Sequence, residues 1–391
     1  MAAAEDALGD AFRAALETWP GVGVPEKPEA WLLAVARRRL VDAARHTSAG
    51  VATAADLRIV VERAEEAAAS DGVFPDERLK LLFVCAHPAI DEAARTPLML
   101  QAVLGLDAAR IASAFLVAPA TMGQRLVRVK AKIRDAAVGF EIPPAQALPQ
   151  RLEAVLEAIY AAYGSGWEDV AGADPRRQGL AEEAIWLGRL VVRLLLDEPE
   201  ARGLLALMLH CEARREARRD ADGAYVPLSR QDVTRWSRRM IEEAEETLAA
   251  ASHAKKPGRF QLEAAIQSAH ARRAVTGQTD WEAIALLYEG LLRLAPTIGA
   301  QVAYAAALAE ARGAEAGLAA LEAIPAEAVK TYQTYWALSA HLLKRLGRAD
   351  QARQAYVRAV GLSENPAVRE FLAGQSAGSD EVATRVAGAR P

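Results

Sequence analysis

Residues Leu106–Arg134 read LDAARIASAFLVAPATMGQRLVRVKAKIR, and this stretch decides the fold. Ile111, Ala112, Phe115 and Leu116 recur at helical spacing and predict one apolar face. Val117, Ala118 and Pro119 interrupt that run. Proline suits the first turn of a new helix, where its missing N–H would have no partner anyway. Thr121–Arg134 is then a second helix, with Leu126, Val129 and Ile133 facing inward. Arg125, Arg128, Lys130, Lys132 and Arg134 face mostly outward. A short apolar helix, a turn and a basic amphipathic helix suit a helix-turn-helix, whose second helix enters a major groove while its cations hold phosphates. The spacing fits a surface helix with a solvated basic face equally well.

The rest of the chain frames this stretch. With 391 residues there is room for two or three domains with their own cores. Hydrophobic residues make up 52%, alanine and leucine dominate, and β-branched runs are few, so the expected fold class is all-α. A net charge of -4 argues against a uniformly basic nucleic-acid binder, yet Gln124–Arg134 holds five basic residues and no acidic one. A local basic patch counts for more at DNA than the total. The two cysteines, Cys85 and Cys211, lie in apolar helical surroundings and are expected as reduced thiols in a cytoplasmic protein. The N-terminus MAAAEDALGD carries acids where a secretory signal needs basic and apolar regions. No apolar run reaches the roughly 20 residues of a membrane span.

Chemistry-bearing motifs are absent. There is no Gly-rich phosphate loop, G-x-S-x-G or H-E-x-x-H, so no catalytic residue and no cofactor is expected. Cys85 and His87 are two potential ligands with no second pair, too few for zinc. Asp220-Ala-Asp222-Gly223 begins like a calcium loop but lacks the closing glutamate, and a turn is expected instead. His46, His87, His210, His253, His270 and His341 are scattered.

In chain order, Ala4–Trp19 predicts a helix with Ala7, Leu8, Ala11, Phe12, Ala15 and Leu16 on one face. The loop PGVGVPEKP follows, then a helix over Glu29–Arg45 that can bury Trp31, Leu32, Val35, Ala36 and Leu40 beside a basic flank of Arg37, Arg38, Arg39 and Arg45. Residues 47–72 form a linker. Phe74–Leu104 predicts two helices, split at His87-Pro88, that pack on the helix-turn-helix. Pro143, Pro144 and Pro149 make 139–150 a stiff linker and a domain boundary. From Arg151 on, helix follows helix, among them Arg151–Tyr163, Pro199–Arg218, Ser229–Ala251, Gly258–Thr276 and Pro366–Ala373. Trp336, Ala340, Leu343, Gly347, Ala352, Tyr356 and Ala359 fall at tetratricopeptide spacing, and WEAIALLYEGLLRLAP (Trp281–Pro296) gives a partial second unit. Such an array, if formed, binds a protein or peptide along its concave side; a plain helical packing domain is the alternative.

The wording of these segments adds a resemblance. IASAFLVAPATMGQRLVRVKAKI resembles the region-four helix-turn-helix of bacterial extracytoplasmic-function sigma factors, in the subgroup with a long helical C-terminal extension. FPDERLKLLFVCAHPAIDEAARTPLML (Phe74–Leu100) and RREARRDADGAYVPL resemble the same subgroup. Trp31, Leu32, Val35, Ala36, Arg38 and Asp42 match the W-L-x-x-V-A-x-R-x-x-x-D pattern of the region-two helix that reads promoters. AEDALGDAF (Ala4–Phe12) resembles the helix that grips core RNA polymerase, although Ala3 and Gly9 replace the family's Asp and Gln.

The resemblance implies a partial sigma region two over 1–46, region four over 73–138 and a tetratricopeptide-like domain over 151–391. It also implies that the part of region two preceding this helix is missing here. Its implied partners are core RNA polymerase, through Glu5, Asp6, Leu8 and Phe12, and promoter DNA. Thr121 would lie against the DNA, with Gln124 and Arg125 at base edges; Arg128, Lys130 and Lys132 would hold phosphates; Arg38, Arg39 and Arg45 would meet the downstream element. The C-terminal domain would regulate these contacts. A sigma-derived scaffold without DNA contact is the other reading.

Overall fold

A computed structural model describes residues 2–23, 28, 31–32, 35–36, 74–115, 117–135, 141–167, 175–363 and 365–387. The chain divides into two compact units, Met1–Asp71 and Gly72–Pro391. Among the described residues the secondary structure is helical apart from an isolated antiparallel bridge between Arg219 and Tyr225. No helix among them is long and apolar enough to cross a membrane.

In the first unit, helix α1 covers Ala2–Val22. Ala11 and Ala15 are buried on it, while Phe12 is 51% and Leu16 77% exposed. The expected single apolar face is therefore only half covered: the alanines pack and the large side chains next to them face outward. Trp19 meets Trp31 with ring centroids 5.5 Å apart, and Ala36 is buried. Leu40 and the expected linker 47–72 lie outside the described residues.

The second unit opens with four helices, α2 (Glu77–Cys85), α3 (Glu92–Ala102), α4 (Ala108–Ala114) and α5 (Pro119–Asp135). Three aspartates start the first three. Asp76 accepts from the Arg78 and Leu79 amides, Asp91 from Ala93 and Asp107 from Arg110, each satisfying N–H groups that a helix start leaves bare. Helices α6 (Leu148–Trp167), α7 (Pro175–Leu194), α8 (Pro199–Glu212), α9 (Arg238–Ser252) and α10 (Arg259–Ala271) follow. The array then runs through α11 (Trp281–Leu294), α12 (Ile298–Arg312), α13 (Ala314–Glu322), α14 (Gln333–Arg345), α15 (Ala349–Leu362) and α16 (Pro366–Ala387).

The proline-rich segment does not divide this unit. Leu79, Phe83, Leu100, Ile111 and Met122 belong to the same hydrophobic core as Leu148, Val155, Ile159, Leu187, Leu204 and Phe260. The buried Arg151 donates from Nη1 to the Phe83 carbonyl at 2.9 Å. Arg78 pairs with Glu183 at 2.5 Å and lies over the Trp186 ring, 5.1 Å from its centroid, fastening α2 to α7. The boundary expected at 139–150 is thus corrected: the segment carries the chain onto α6, whose apolar face covers α2 and α3. Prolines signal a stiff connection, and stiffness alone does not separate cores.

A second correction concerns Ser229–Ala251. Leu228–Arg230 and Val233–Arg235 form two short 3₁₀ turns, and α9 starts only at Arg238. Asp232 accepts from the Thr234 amide at 2.9 Å and Ser237 caps α9 through the Met240 amide, so both side chains act as helix-start groups inside the expected helix. The DADG turn forms as expected. Asp220 Oδ1 accepts from the Asp222 and Ala224 amides at 3.0 and 2.8 Å, and Gly223 takes a positive φ of 83°. The repeat residues sit as their spacing predicts: Ala340, Ala352, Tyr356 and Ala359 are buried between α14 and α15, and Gly347 turns the chain at φ 73°.

Candidate nucleic-acid interface

Helix α5 presents two faces. Met122, Leu126 and Val129 are almost wholly buried, with Ile133 packed at their end. They anchor the helix against α3 and α4. The turn before it closes through Phe115 N to Ile111 O at 3.2 Å and Val117 N to Ala112 O at 3.0 Å. Ile111 and Ala112 are buried and Phe115 is half-buried, while Leu116 lies outside the described residues.

At 3.6 residues per turn, Thr121, Gln124, Arg125, Arg128 and Lys132 fall within roughly 100° of one another on α5, turned away from the buried face. All five are exposed. Arg125, Arg128 and Lys132 make no ion pair with any described residue. The stripe therefore presents three cations, an amide and a hydroxyl. Lys130 does not join it: this half-buried residue lies on the other side of the helix, along the flank of the buried face. Lys130, expected among the phosphate-holding residues, thus stands apart from Arg128 and Lys132, because residues two apart in a helix do not share a face.

On α1, Glu5, Asp6, Leu8 and Phe12 occupy positions of one helix, with Phe12 outward. Arg38, Arg39 and Arg45 lie outside the described residues. Among the described residues no cluster of three histidine, cysteine or acidic side chains could hold a metal.

A protein-family model described as a family of unknown function (DUF6596) matches residues 151–252, the span from α6 to α9 with its DADG turn. An uncharacterized protein of Rhizobium meliloti (strain 1021) is 40% identical over 373 residues, covering 94% of this chain and 88% of the relative. The chain belongs to that protein's family. No solved structure matches it. The similarity to the relative spans most of the chain, the helix-turn-helix and the helical array together, whereas the family model covers the middle alone.

Sequence reasoning missed a second polar feature. Arg259, Glu263 and Gln267 recur every fourth residue on α10, and Glu157, Tyr160 and Gly164 do much the same on α6. Both rows face one cavity of about 550 Å³. The legible signal was the recurrence of Arg259, Glu263 and Gln267 at four-residue spacing, which puts three polar side chains on one face of α10.

Proposed function

We propose that this protein is a sigma-factor-like DNA-binding protein that acts in transcription initiation with core RNA polymerase. The observation that carries the reading is the α5 stripe: Gln124, Arg125, Arg128 and Lys132 stand exposed on the second helix of a helix-turn-helix whose opposite face is anchored by Met122 and Leu126. Gln124 and Arg125 have the donors and acceptors to pair with purine edges, and Arg128 and Lys132 supply phosphate contacts. Phe12 and Leu16 give α1 an apolar surface for the polymerase. The helical array, continuous with the core beneath α4, modulates how that helix pair meets DNA.

The test is DNA binding by the full chain, with and without core RNA polymerase. Arg125→Ala combined with Arg128→Ala should weaken binding at least about tenfold, since one good bidentate base contact is worth roughly 1–3 kcal/mol. Unchanged binding by a folded double variant would refute the reading.

The scaffold reading draws on a separate observation. The buried faces of α4 and α5 belong to the core that α6 and α8 complete, so the helix pair also has a packing role. Under that reading, the double variant leaves every interaction of the protein intact.

A further inference from the structure

The cavity under the helix-turn-helix has a polarity of its own. Its volume of about 550 Å³ falls in the range of small-molecule sites. Ser113 of α4 and Phe115 just beyond its end form one wall, and α6, α8, α10, α11 and α12 form the others.

One end is acidic. Glu157 and Glu263 flank Arg259, which pairs with both and lies over the Tyr160 ring at 5.4 Å and the Phe260 ring at 5.0 Å. Tyr160 donates its hydroxyl to Glu263 Oε2 at 3.0 Å. Two carboxylates against one guanidinium leave an excess negative charge. Burial holds the Glu157 carboxyl above its usual range, with Arg259 pulling it back.

The other end is basic. Arg214 donates from Nη2 to Gln267 Oε1 at 2.5 Å and to Cys211 Sγ at 3.6 Å. Its charge is felt nearby: after burial, Arg214 is the next cause that lowers the His210 and His270 pKa values. Glu263 and Gln267 are one turn apart on α10, so the groups that mark the two ends are neighbours along one helix face. Tyr288, with Glu263 and Arg214 as its nearest charged influences, lines the cavity, and its hydroxyl makes no hydrogen bond with any described residue. Leu207, Ile266 and Leu291 supply an apolar floor.

We infer that this cavity binds a zwitterionic amino-acid-type ligand with an apolar side chain, its ammonium toward Glu157 and Glu263 and its carboxylate toward Arg214 and the Tyr288 hydroxyl. Ends that neighbour each other along one helix turn suit a molecule carrying both charged groups on one carbon, and the side chain rests against Leu207 and Phe115. A filled cavity bears on α4 from beneath. That consequence for DNA contact rests on the DNA-binding reading, whereas the ligand site itself does not.

The chain carries its own reporter. Cys211 lines the cavity, while Cys85 is buried in the core and its thiol is pushed up to about 11 by that burial. In the full-length Cys85→Ala variant, a disulfide reagent therefore titrates Cys211 alone. The probes are L-phenylalanine and L-leucine, with phenethylamine lacking the carboxylate and 3-phenylpropionate lacking the amine, in calorimetry and in Cys211 protection, without DNA or polymerase. The amino acids are expected to bind and slow the Cys211 reaction, and each single-charge analogue to bind at least about tenfold more weakly, as a site built for a polar group rejects its absence. Arg214→Gln and Glu263→Gln should each abolish the preference in chains that still melt cooperatively.

Failure of both amino acids to bind at millimolar concentration, or equal binding by the analogues, overturns the inference. Either result leaves the DNA-binding test standing, and a negative DNA test leaves this one standing.

Discussion

Gly203 sits where α8 crosses the start of α10, and replacing it with alanine tests the packing that forms the cavity. A Cβ built there would lie 2.6 Å from the Gln261 backbone N and 2.9 Å from the Phe260 carbonyl carbon. Neither neighbour is a flexible side-chain tip, so the helices must separate. The same crossing carries two charge-assisted bonds, in which Glu200 accepts from the Phe260 amide at 2.9 Å and the Gln261 amide at 3.1 Å. These supply the α10 N-terminus with the cap that Gly258 cannot give. Overpacking costs about 1–3 kcal/mol, and contact with backbone places this site at the upper end. Stretching the two Glu200 bonds adds to that, while the better helix propensity of alanine returns up to about 1 kcal/mol. The net expectation is a loss of about 2 kcal/mol, or about 4 °C in melting temperature for a domain of this size. Gly179 is the control: it is exposed on α7 with nothing within 4 Å of a built Cβ, so Gly179→Ala should stabilise by about 0.4–1 kcal/mol. Thermal melts followed by circular dichroism read both. A Gly203→Ala chain as stable as the parent, alongside a stabilised Gly179→Ala chain, would refute the close approach of α8 and α10.

Three further outcomes follow from the same structure. A fragment ending at Pro144 strips the apolar cover of Leu148, Leu152 and Val155 from α2 and α3, so it should show no cooperative melt; a sharp transition in that fragment would return the domain boundary to the proline-rich segment. His210 is 3% exposed with Glu245 3.5 Å from Nε2, and burial first, then Arg214, lowers its pKa to about 4 from 6.5. A lowered histidine favours the folded state above the unfolded pKa, so that contribution is lost as pH falls from about 6.5 through 4. Urea midpoints should drop across that window and drop less in His210→Leu. Tyr356 is 2% exposed between α14 and α15, and Tyr356→Ala should cost about 3–5 kcal/mol, measured by urea unfolding; a cost below about 1 kcal/mol would mean the pair is not packed around it.

Much of this architecture is legible in the sequence. The 3.6-residue period of Leu126, Val129 and Ile133 gave the buried face of α5, and Pro119 gave its start, because both rest on local rules. The tetratricopeptide spacing located Tyr356 for the same reason. Three things were not legible. Pro143, Pro144 and Pro149 looked like a boundary because sequence shows stiffness and not the core into which α6 folds back. The register of Lys130 was blurred by charges at every second position. The cavity joins Glu157, Glu263 and Tyr288 from three helices with Arg214 from the turn after α8. No local pattern reports such a meeting, although the four-residue recurrence of polar groups on α10 marked one wall.

The most direct test of the DNA-binding account is the salt dependence of the full chain's affinity for a labelled duplex, followed by fluorescence anisotropy between 50 and 200 mM salt. Two phosphate contacts, from Arg128 and Lys132, contribute about -1.8 to the logarithmic slope at roughly -0.9 each. The account predicts that Arg128→Ala with Lys132→Ala flattens the slope by about that amount, while Lys130→Ala, off the stripe, leaves it unchanged. Equal slopes for the parent and the double variant, or no binding by a folded parent chain, would contradict it.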